Sequence, residues 1–277
     1  MHFLSLKSKI FWHENIRFSL VVTGLLGSFA SISGISLLDF FNKSSICFRT
    51  IFLFIIFAVF IILISLVKII YISFSFRIKI REMIIYIKHG DIFKAKGKKL
   101  IPFNEYFDLI VDDVIVSRNT LHGTFIEKCV PDIDELKQKI ENADETVTKL
   151  KKYEKNNRTA YPLGRVISYN DFLLLSFTEF NIQNEAHLTK SKLENCLKNM
   201  WIEICRIYAF YPICLPLLGS GITRIDDWLE RTEIDLLKFM LYTLYFSNVD
   251  IRKPITIYLT KEKYNNLNIY ELKGVKL

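Results

Sequence analysis

The sequence lacks the cysteine and histidine patterns that hold metal ions or catalyse redox reactions. Its five cysteines, at Cys47, Cys129, Cys196, Cys205 and Cys214, have neither metal-binding nor redox spacing. Its five histidines are equally scattered, and no HExxH or similar motif occurs among them. We therefore predict no metal site and no cofactor, and we expect reduced cysteines that mostly pack inside a cytosolic domain.

Charged residues are missing from two long apolar runs near the N-terminus. Ser19–Leu38 is 20 residues long and Thr50–Val67 is 18. A helix rises about 1.5 Å per residue and the hydrocarbon core of a bilayer is about 30 Å thick, so each run can span a membrane. A cleaved signal peptide is an alternative for the first run, but no clear A-x-A site follows it. The absence of ionisable residues from both runs argues against an ion or proton pathway.

Basic residues flank the outer ends of the two runs. The short connection between the runs, residues 39–49, holds only two of them. The flanking basic residues are Lys7, Lys9 and Arg17 before the first run, and Lys68, Arg77, Lys79 and Arg81 after the second. Because positive charge favours the cytoplasmic side, both termini are expected there.

The first run is rich in small residues, whereas the second is bulky and apolar on every side. Small residues stand four positions apart at Gly24–Ser28, Gly27–Ser31 and Ala30–Gly34. This spacing lets helix backbones approach closely in lipid, which favours association between copies of the first helix. The alternative is that the small residues only pack the first helix against the second.

The net charge of +8 does not point to nucleic acid. Eight Lys and Arg residues lie between Arg77 and Lys99, against only Glu82 and Asp91. This cluster follows the second run directly, where anionic lipid headgroups are the expected partners. The chain then divides into an N-terminal cytoplasmic segment (1–18), two membrane helices (19–67, with spans 19–38 and 50–67), a basic linker (68–82) and one ligand-binding domain (83–277).

Strand-like and helix-like segments alternate after the linker. Such alternation predicts a three-layer α/β domain with a mostly parallel or mixed sheet. The predicted strands are Met83–Lys88, Lys99–Phe103, Arg165–Ser168, Asp171–Thr178, Tyr211–Leu218 and Ile255–Leu259. The predicted helices are Asp132–Lys155, Leu193–Tyr208 and Leu236–Tyr245.

Two turns rich in small residues stand where such a sheet binds ligands. Gly219-Ser220-Gly221 lies between a strong strand and a helix, so its backbone N–H groups can approach a phosphate. His122-Gly123-Thr124 is a second small-residue turn that opens a helix. Neither turn is specific by itself, because a plain tight turn has the same composition.

Four stretches carry a resemblance to a known family. They are Gly90–Ile92, Ile101–Asp108, Ser117–Gly123 and Pro216–Ile222. Together they resemble a divergent macro domain, and in particular the macro-like domain that follows two N-terminal membrane helices in effector proteins of Thoeris antiphage systems. The resemblance implies a macro-like three-layer α/β/α domain with a mixed sheet behind a two-helix transmembrane hairpin.

The resemblance also assigns ligand-binding roles. It implies that Asp91 accepts a hydrogen bond from an adenine amino group, with Ile92 adjacent. It places a diphosphate-binding loop at Leu121, His122, Gly123 and Thr124. It further implies that Gly219, Ser220, Gly221 and Ile222 wrap the phosphates and the distal ribose.

A receptor function follows from the resemblance. It implies that the domain binds an ADP-ribose-derived nucleotide signal, such as histidine-linked ADP-ribose made from NAD by a partner enzyme with a TIR domain. The protein would then form a homo-oligomer and disrupt the bilayer of the bacterial inner membrane, which aborts the phage infection. The resemblance implies a binding protein without catalytic residues.

Two other functions stay open at this point. The chain has Pro102–Tyr106 where hydrolytic macro domains carry an asparagine-rich stretch, which counts against hydrolysis. A membrane-tethered hydrolase of ADP-ribose esters or nucleotides would need a base or nucleophile from Glu105, Asp112, Asp113 or His122, and no pair of them has a diagnostic spacing. A purely structural two-span adaptor would leave the Gly-Ser-Gly turn unexplained.

Overall fold

The computed structural model describes residues 8–32, 46–143, 148–181 and 185–273. The chain divides into two units. One is a helical unit that contains the chain up to Phe76 together with residues 265–276. The other extends from Arg77 to Tyr264 and contains most of the sheet.

The helical unit contains helices α1 (Lys9–Ile32) and α2 (Ile46–Phe74). Within the described ranges, one stretch is long and apolar enough to cross a membrane by length and composition, Thr50–Phe74 in α2. The predicted second span lies inside it. The end of the first predicted span, residues 33–38, lies outside the described residues. The two-span hairpin and its orientation therefore stay predictions.

The two helices contact each other near their polar ends. The Asn15 side-chain amide on α1 donates a hydrogen bond to Ser65 Oγ on α2, at 2.9 Å. Glu14 and Lys68 form an ion pair at 3.7 Å. A short C-terminal helix, α8 (Tyr270–Lys273), belongs to the same unit and packs on α1. The sequence pattern did not predict this C-terminal packing.

Glycines of α1 do not pack that helix against α2. At Gly24 and Gly27, no heavy atom outside the helix backbone lies within 4 Å of the position that a Cβ would take, as far as the described residues go. Both positions are exposed in the single chain. Among the described residues, Gly24 and Gly27 therefore make no close contact with α2, and both explanations of the small residues stay predictions.

A mixed sheet forms the centre of the second unit. The strands, in order across the sheet, are β1-β2-β11-β9-β3-β7-β8-β10, with β6 paired to β7. Neighbours from β2 through β7 are parallel, β8 and β10 are parallel, and β7 runs antiparallel to β6 and β8. The strands are β1 (Ser75–Ile80), β2 (Met83–His89), β3 (Lys98–Asn104), β6 (Val166–Tyr169), β7 (Phe172–Phe180), β8 (Ala186–Leu188), β9 (Ile213–Pro216), β10 (Arg224–Ile225) and β11 (Ile255–Leu259).

Helices cover both faces of this sheet. Side chains of Ile101, Phe103 and Leu174 pack with α3 (Leu121–Cys129) and α4 (Ile133–Glu141). Because side chains alternate along a strand, their neighbours point to the other face. Helix α5 (Lys190–Ile207) contacts β6 and β7 and packs on α6 (Glu233–Phe246). The predicted three-layer α/β/α architecture with a mixed sheet is confirmed.

The long helix predicted over Asp132–Lys155 is wrong in its second half. Helix α4 ends at Glu141, and a two-stranded hairpin follows, with β4 (Tyr153–Lys155) antiparallel to β5 (Arg158–Ala160). The turn residues Asn156 and Asn157 have φ of 53° and 57°. Asparagine tolerates this left-handed backbone, which is typical of tight hairpin turns. The helix therefore ends at Glu141, although the apolar spacing in the sequence continues to Leu150.

The predicted linker of residues 68–82 also differs from the structure. Helix α2 continues to Phe74, and β1 follows immediately. In β1, buried Phe76 and Ile80 alternate with more exposed basic side chains, which is the pattern of a strand at the edge of a sheet. Arg77 and Lys79 therefore belong to a strand and not to a linker, although lipid headgroups were their only predicted partners.

Candidate functional site

A cleft of about 760 Å³ lies where the parallel strands β2, β3, β9 and β11 end. Its walls come from the segments that follow each strand, which is where ligands bind in α/β sheets. Nine of the ten predicted ligand-binding residues line it. These are Asp91, Ile92, Leu121, His122, Thr124, Gly219, Ser220, Gly221 and Ile222. The tenth, Gly123, lies in the same helical turn but does not line the cleft.

Asp91 opens a short 3-10 turn, Ile92–Lys94, at the end of β2. Its Oδ1 accepts a hydrogen bond from the Phe93 N–H at 2.9 Å. Gly90 N–H donates to the Leu259 carbonyl of β11 at 3.1 Å, which fixes the start of the turn. The Asp91 carboxylate is exposed, and its Oδ2 has no hydrogen-bond partner among the described residues. This oxygen can accept a hydrogen bond from a ligand.

Basic side chains hold two carbonyl groups of the loop after β9, Leu217–Ile222, and the carbonyl that follows it. The Arg231 guanidinium donates to the carbonyls of Gly219 (3.3 Å) and Thr223 (2.9 Å). Lys263 Nζ donates to the Ser220 carbonyl. The N–H groups of Gly219, Gly221 and Ile222 have no acceptor in the described part of the chain. A loop with unpaired N–H groups beside a cleft is suited to an anion.

The two glycines of this loop have different roles. Gly219 has φ of 78°, and a Cβ there would lie 3.2 Å from Leu236 Cδ2. Gly221 lacks a left-handed φ, and the space around its Cα is open among the described residues. The backbone therefore requires glycine at position 219, whereas position 221 only leaves room for close approach.

The segment predicted as a phosphate-binding turn is the first turn of α3. Thr120 caps this helix, since its Oγ1 accepts a hydrogen bond from the Gly123 N–H at 3.0 Å. The N–H groups of Leu121 and His122 have no acceptor among the described residues. Free N–H groups at a helix start attract anions. Gly123 is required for packing, because a Cβ would lie 2.4 Å from the Ser117 carbonyl oxygen.

His122 is a buried neutral side chain. Its Nε2 donates to the Asp108 carbonyl at 2.8 Å, and its ring centroid lies 3.6 Å from that of Phe103. Burial lowers the pKa of His122 from 6.5 to about 3, although the Asp108 carbonyl opposes this shift. His122 is therefore uncharged near neutral pH, and it cannot contribute a positive charge to a phosphate.

The burial of neutral His122 predicts a loss of stability in acid. Because its folded pKa lies below its unfolded pKa, the stabilisation is complete above pH 6.5 and is lost as the pH falls toward 3. As the pH falls, we expect the free energy of unfolding of the unaltered protein to decrease by up to about 1.4 kcal/mol per pH unit more than that of His122→Gln. Urea unfolding of both proteins between pH 7 and pH 4.5 measures the difference. Equal pH dependence in the two proteins would contradict the buried neutral histidine.

The other acidic residues considered for hydrolysis are held in structural contacts. Buried Glu105 pairs with Lys155 at 2.9 Å and does not line the cleft. The N–H groups of Ile115 and Val114 bind Asp112 and lower its pKa. Asp113 lines the cleft, but its Oδ1 accepts the Arg118 N–H at 2.9 Å. Each of these three carboxylates therefore has a structural partner.

Sequence reasoning missed several side chains that shape the cleft. Arg231 and Lys263 hold the loop after β9, and Glu185 pairs with Arg224 at 3.1 Å on the cleft wall. The sequence indicates a role for Lys263 in the cleft only through its position shortly after the last strand. This position is a weak indication, because lysine is common after strands that end at a surface.

The macro domain of the Thoeris protein ThsA is the family whose model matches this chain, over residues 85–260. The Thoeris protein ThsA of Bacillus amyloliquefaciens (strain Y2) is 41% identical over 203 residues. That alignment covers 68% of this chain and 66% of the relative, so it spans slightly less than two thirds of the relative's length.

Solved structures of the Oceanobacillus iheyensis macrodomain are also similar to this chain. The structure with ADP covers 72% of this chain and 95% of its own, with a TM-score of 0.48 and 15% identity. A mutant with ADPR covers 73% and 100%, with a TM-score of 0.47 and 15% identity. The match of the family model extends over more than half of the sequence, and the chain therefore belongs to the ThsA macro-domain family of Thoeris proteins.

Proposed function

We propose that this protein is a membrane-anchored receptor of Thoeris antiphage defence whose macro domain binds an ADP-ribose-derived nucleotide. One observation carries the proposal. A single cleft is lined by two groups of backbone N–H, one in the loop after β9 and one at the start of α3, and by Asp91 Oδ2, none of which has a hydrogen-bond partner among the described residues. Membership of the ThsA family supports the same ligand class.

The chemistry of the cleft matches the parts of ADP-ribose. The two groups of N–H donors can bind the oxygens of a diphosphate. Asp91 can accept a hydrogen bond from the adenine amino group. The cleft volume of about 760 Å³ lies in the range of small-molecule sites. We propose that binding proceeds without turnover, because the three carboxylates considered for hydrolysis, those of Glu105, Asp112 and Asp113, are held in structural contacts.

Asp91→Asn tests the adenine contact. Asparagine keeps an oxygen for the Phe93 N–H but replaces the free Oδ2 with an N–H₂ donor, which cannot accept from an amino group. We expect ADP-ribose to bind about tenfold more weakly, since a hydrogen bond to a charged group contributes about 1.5 to 3 kcal/mol. Calorimetric titration of both proteins measures this. An unchanged dissociation constant would place the adenine elsewhere.

We further propose how the signal becomes a membrane response. A partner TIR enzyme makes histidine-linked ADP-ribose, the receptor assembles into a homo-oligomer, and the assembled helices disrupt the inner membrane. Ligand drives assembly only if the assembled state binds it more tightly than the resting state. A difference of about 4 to 6 kcal/mol in binding free energy takes the population from mostly resting to mostly assembled.

The exposed small residues of α1 support association through that helix. Among the described residues, no heavy atom outside the helix backbone lies within 4 Å of a Cβ at Gly24 or Gly27, so a second helix can approach this face closely. We expect Gly27→Leu to hold the helices apart. The binding cleft itself should stay intact, because Gly27 lies outside the macro domain.

Dye release from liposomes measures the membrane step after histidine-linked ADP-ribose is added. We expect the unaltered protein to release dye and Gly27→Leu to release little. Phe54→Leu on α2 is the control, because that side chain is 69% exposed and lipid accepts either residue. Full dye release from Gly27→Leu would mean that α1 serves only as an anchor.

A further inference from the structure

Lys263 is a cation of the cleft that has no acidic partner among the described residues. The described residues that line the cleft include two cations, Arg224 and Lys263. Arg224 is paired with Glu185 at 3.1 Å. Lys263 Nζ instead donates to the Ser220 carbonyl in the loop after β9. An ammonium group has three donors, so Lys263 keeps the capacity and the charge to bind a phosphate oxygen.

The position of Lys263 is fixed by the short helix α7 (Lys261–Asn265), which follows β11. Thr260 holds the start of this helix, since its carbonyl accepts the Tyr264 N–H at 2.9 Å. Tyr264 is fully buried, and its ring lies 5.4 Å from that of His89. A ligand that replaces Ser220 as the partner of Lys263 therefore acts directly on α7, whose neighbouring residue Tyr264 is buried.

The chain continues from α7 into the helical unit. Tyr264 is the last residue of this stretch in the macro-domain unit, and Asn265 begins the C-terminal part of the helical unit. Within that unit, Tyr270 packs edge-on against Phe11 of α1, with ring centroids 5.3 Å apart, and lies 6.1 Å from Phe76. Both Tyr270 and Phe11 are buried. One short segment thus contacts the ligand loop at one end and α1 at the other.

We propose that Lys263 recognises the diphosphate of the ligand and that the segment Lys261–Lys273 carries this event to α1. The proposal rests on the proposed function, because it needs a diphosphate in the cleft. When the diphosphate binds, its oxygens replace the Ser220 carbonyl as the partner of Nζ. The resulting shift of α7 changes how Tyr270 packs on Phe11. This in turn changes the packing of the first turns of α1.

The test uses the full chain in lipid nanodiscs with histidine-linked ADP-ribose. Calorimetry gives the affinity, and amide hydrogen exchange at saturating ligand reports on residues 265–273 and 9–16. Lys263→Met removes the charge but keeps a similar stem, and Lys261→Met is the control, an exposed lysine of the same helix. Tyr270→Leu breaks the aromatic contact at the other end and keeps an apolar side chain.

We expect the ligand to change exchange in both segments of the unaltered protein and of Lys261→Met. Lys263→Met should bind at least about tenfold more weakly and show no exchange change at saturation. Tyr270→Leu should keep its affinity and lose the change in residues 9–16. Ligand binding without any exchange change in residues 265–273, or an unaltered response in Lys263→Met, would overturn the coupling alone. Absence of binding to the unaltered protein would overturn the proposed function as well.

Discussion

A Gly123→Val protein is expected to bind ADP-ribose at least about tenfold more weakly than the unaltered protein, a loss of about 1.4 kcal/mol or more. A Cβ at this position would lie 2.4 Å from the Ser117 carbonyl oxygen and 2.9 Å from Arg118 Cα. Both are backbone atoms, so the chain before α3 or the helix itself must move. Either movement displaces the free N–H groups of Leu121 and His122 from the cleft.

Lys128→Val is the control, because Lys128 is an exposed residue of the same helix that does not line the cleft. We expect Lys128→Val to bind ADP-ribose normally. Calorimetric titration gives both affinities, and circular dichroism shows whether each protein is folded. Overpacking of this kind also costs about 1 to 3 kcal/mol of stability. Normal ADP-ribose binding by a folded Gly123→Val protein would exclude the start of α3 from the site.

Glu203→Ala is expected to lower the free energy of unfolding by about 3 to 5 kcal/mol. Glu203 and Arg165 form an ion pair at 2.8 Å, and their side chains are 5% and 3% exposed. Thr148 and Arg206 also donate to the Glu203 carboxylate. Burial opposes the charge of Glu203, but these hydrogen bonds and the two guanidinium groups outweigh it and lower its pKa. The substitution leaves the Arg165 charge buried without its carboxylate.

Glu194→Ala is the matched control on the same helix. Glu194 pairs with Lys198 in α5, but its side chain is 45% exposed. An exposed pair contributes about 0 to 1 kcal/mol, so this variant should unfold almost as the unaltered protein does. Denaturant unfolding compares the two variants. Similar stabilities for Glu203→Ala and Glu194→Ala would mean that the buried pair does not hold α5 to the sheet.

The central strands were predictable because burial on both faces gives them continuous apolar sequence. The predictions for β2, β3, β7, β9 and β11 are confirmed to within a few residues. Such strands carry their own signal, since parallel sheets covered by helices select Val, Ile and Leu at successive positions.

The short strands were not predictable, because they lack the continuous apolar sequence of the central strands. β8 and β10 have three and two residues, and each exists because a neighbouring strand pairs with it. They include half-buried His187 and exposed Arg224, which carry no periodic signal. Pairing imposed by the rest of the fold decides such elements, and a local sequence pattern does not contain it.

Some residues of the candidate site were predictable from the local sequence and others were not. Asp91 and the Gly219–Gly221 loop were predictable, because a turn after a strand is marked by glycine and small polar residues next to each other in the sequence. Arg231 and Lys263 were missed because they act on that loop from 12 and 43 residues further along the chain. The sequence does not distinguish a glycine that contacts a ligand from one that is required for packing. Gly123 and Gly221 were both assigned to ligand contact, yet the structure requires Gly123 for packing and leaves open space at Gly221.

Whether the cleft binds a nucleotide without turnover is tested by calorimetric titration of the purified full chain with histidine-linked ADP-ribose, followed by chromatography of the nucleotide. We expect saturable binding and recovery of the nucleotide intact. Release of free ADP-ribose during the titration would identify a hydrolase. Absence of binding at high ligand concentration would contradict the assignment of the cleft as a nucleotide receptor.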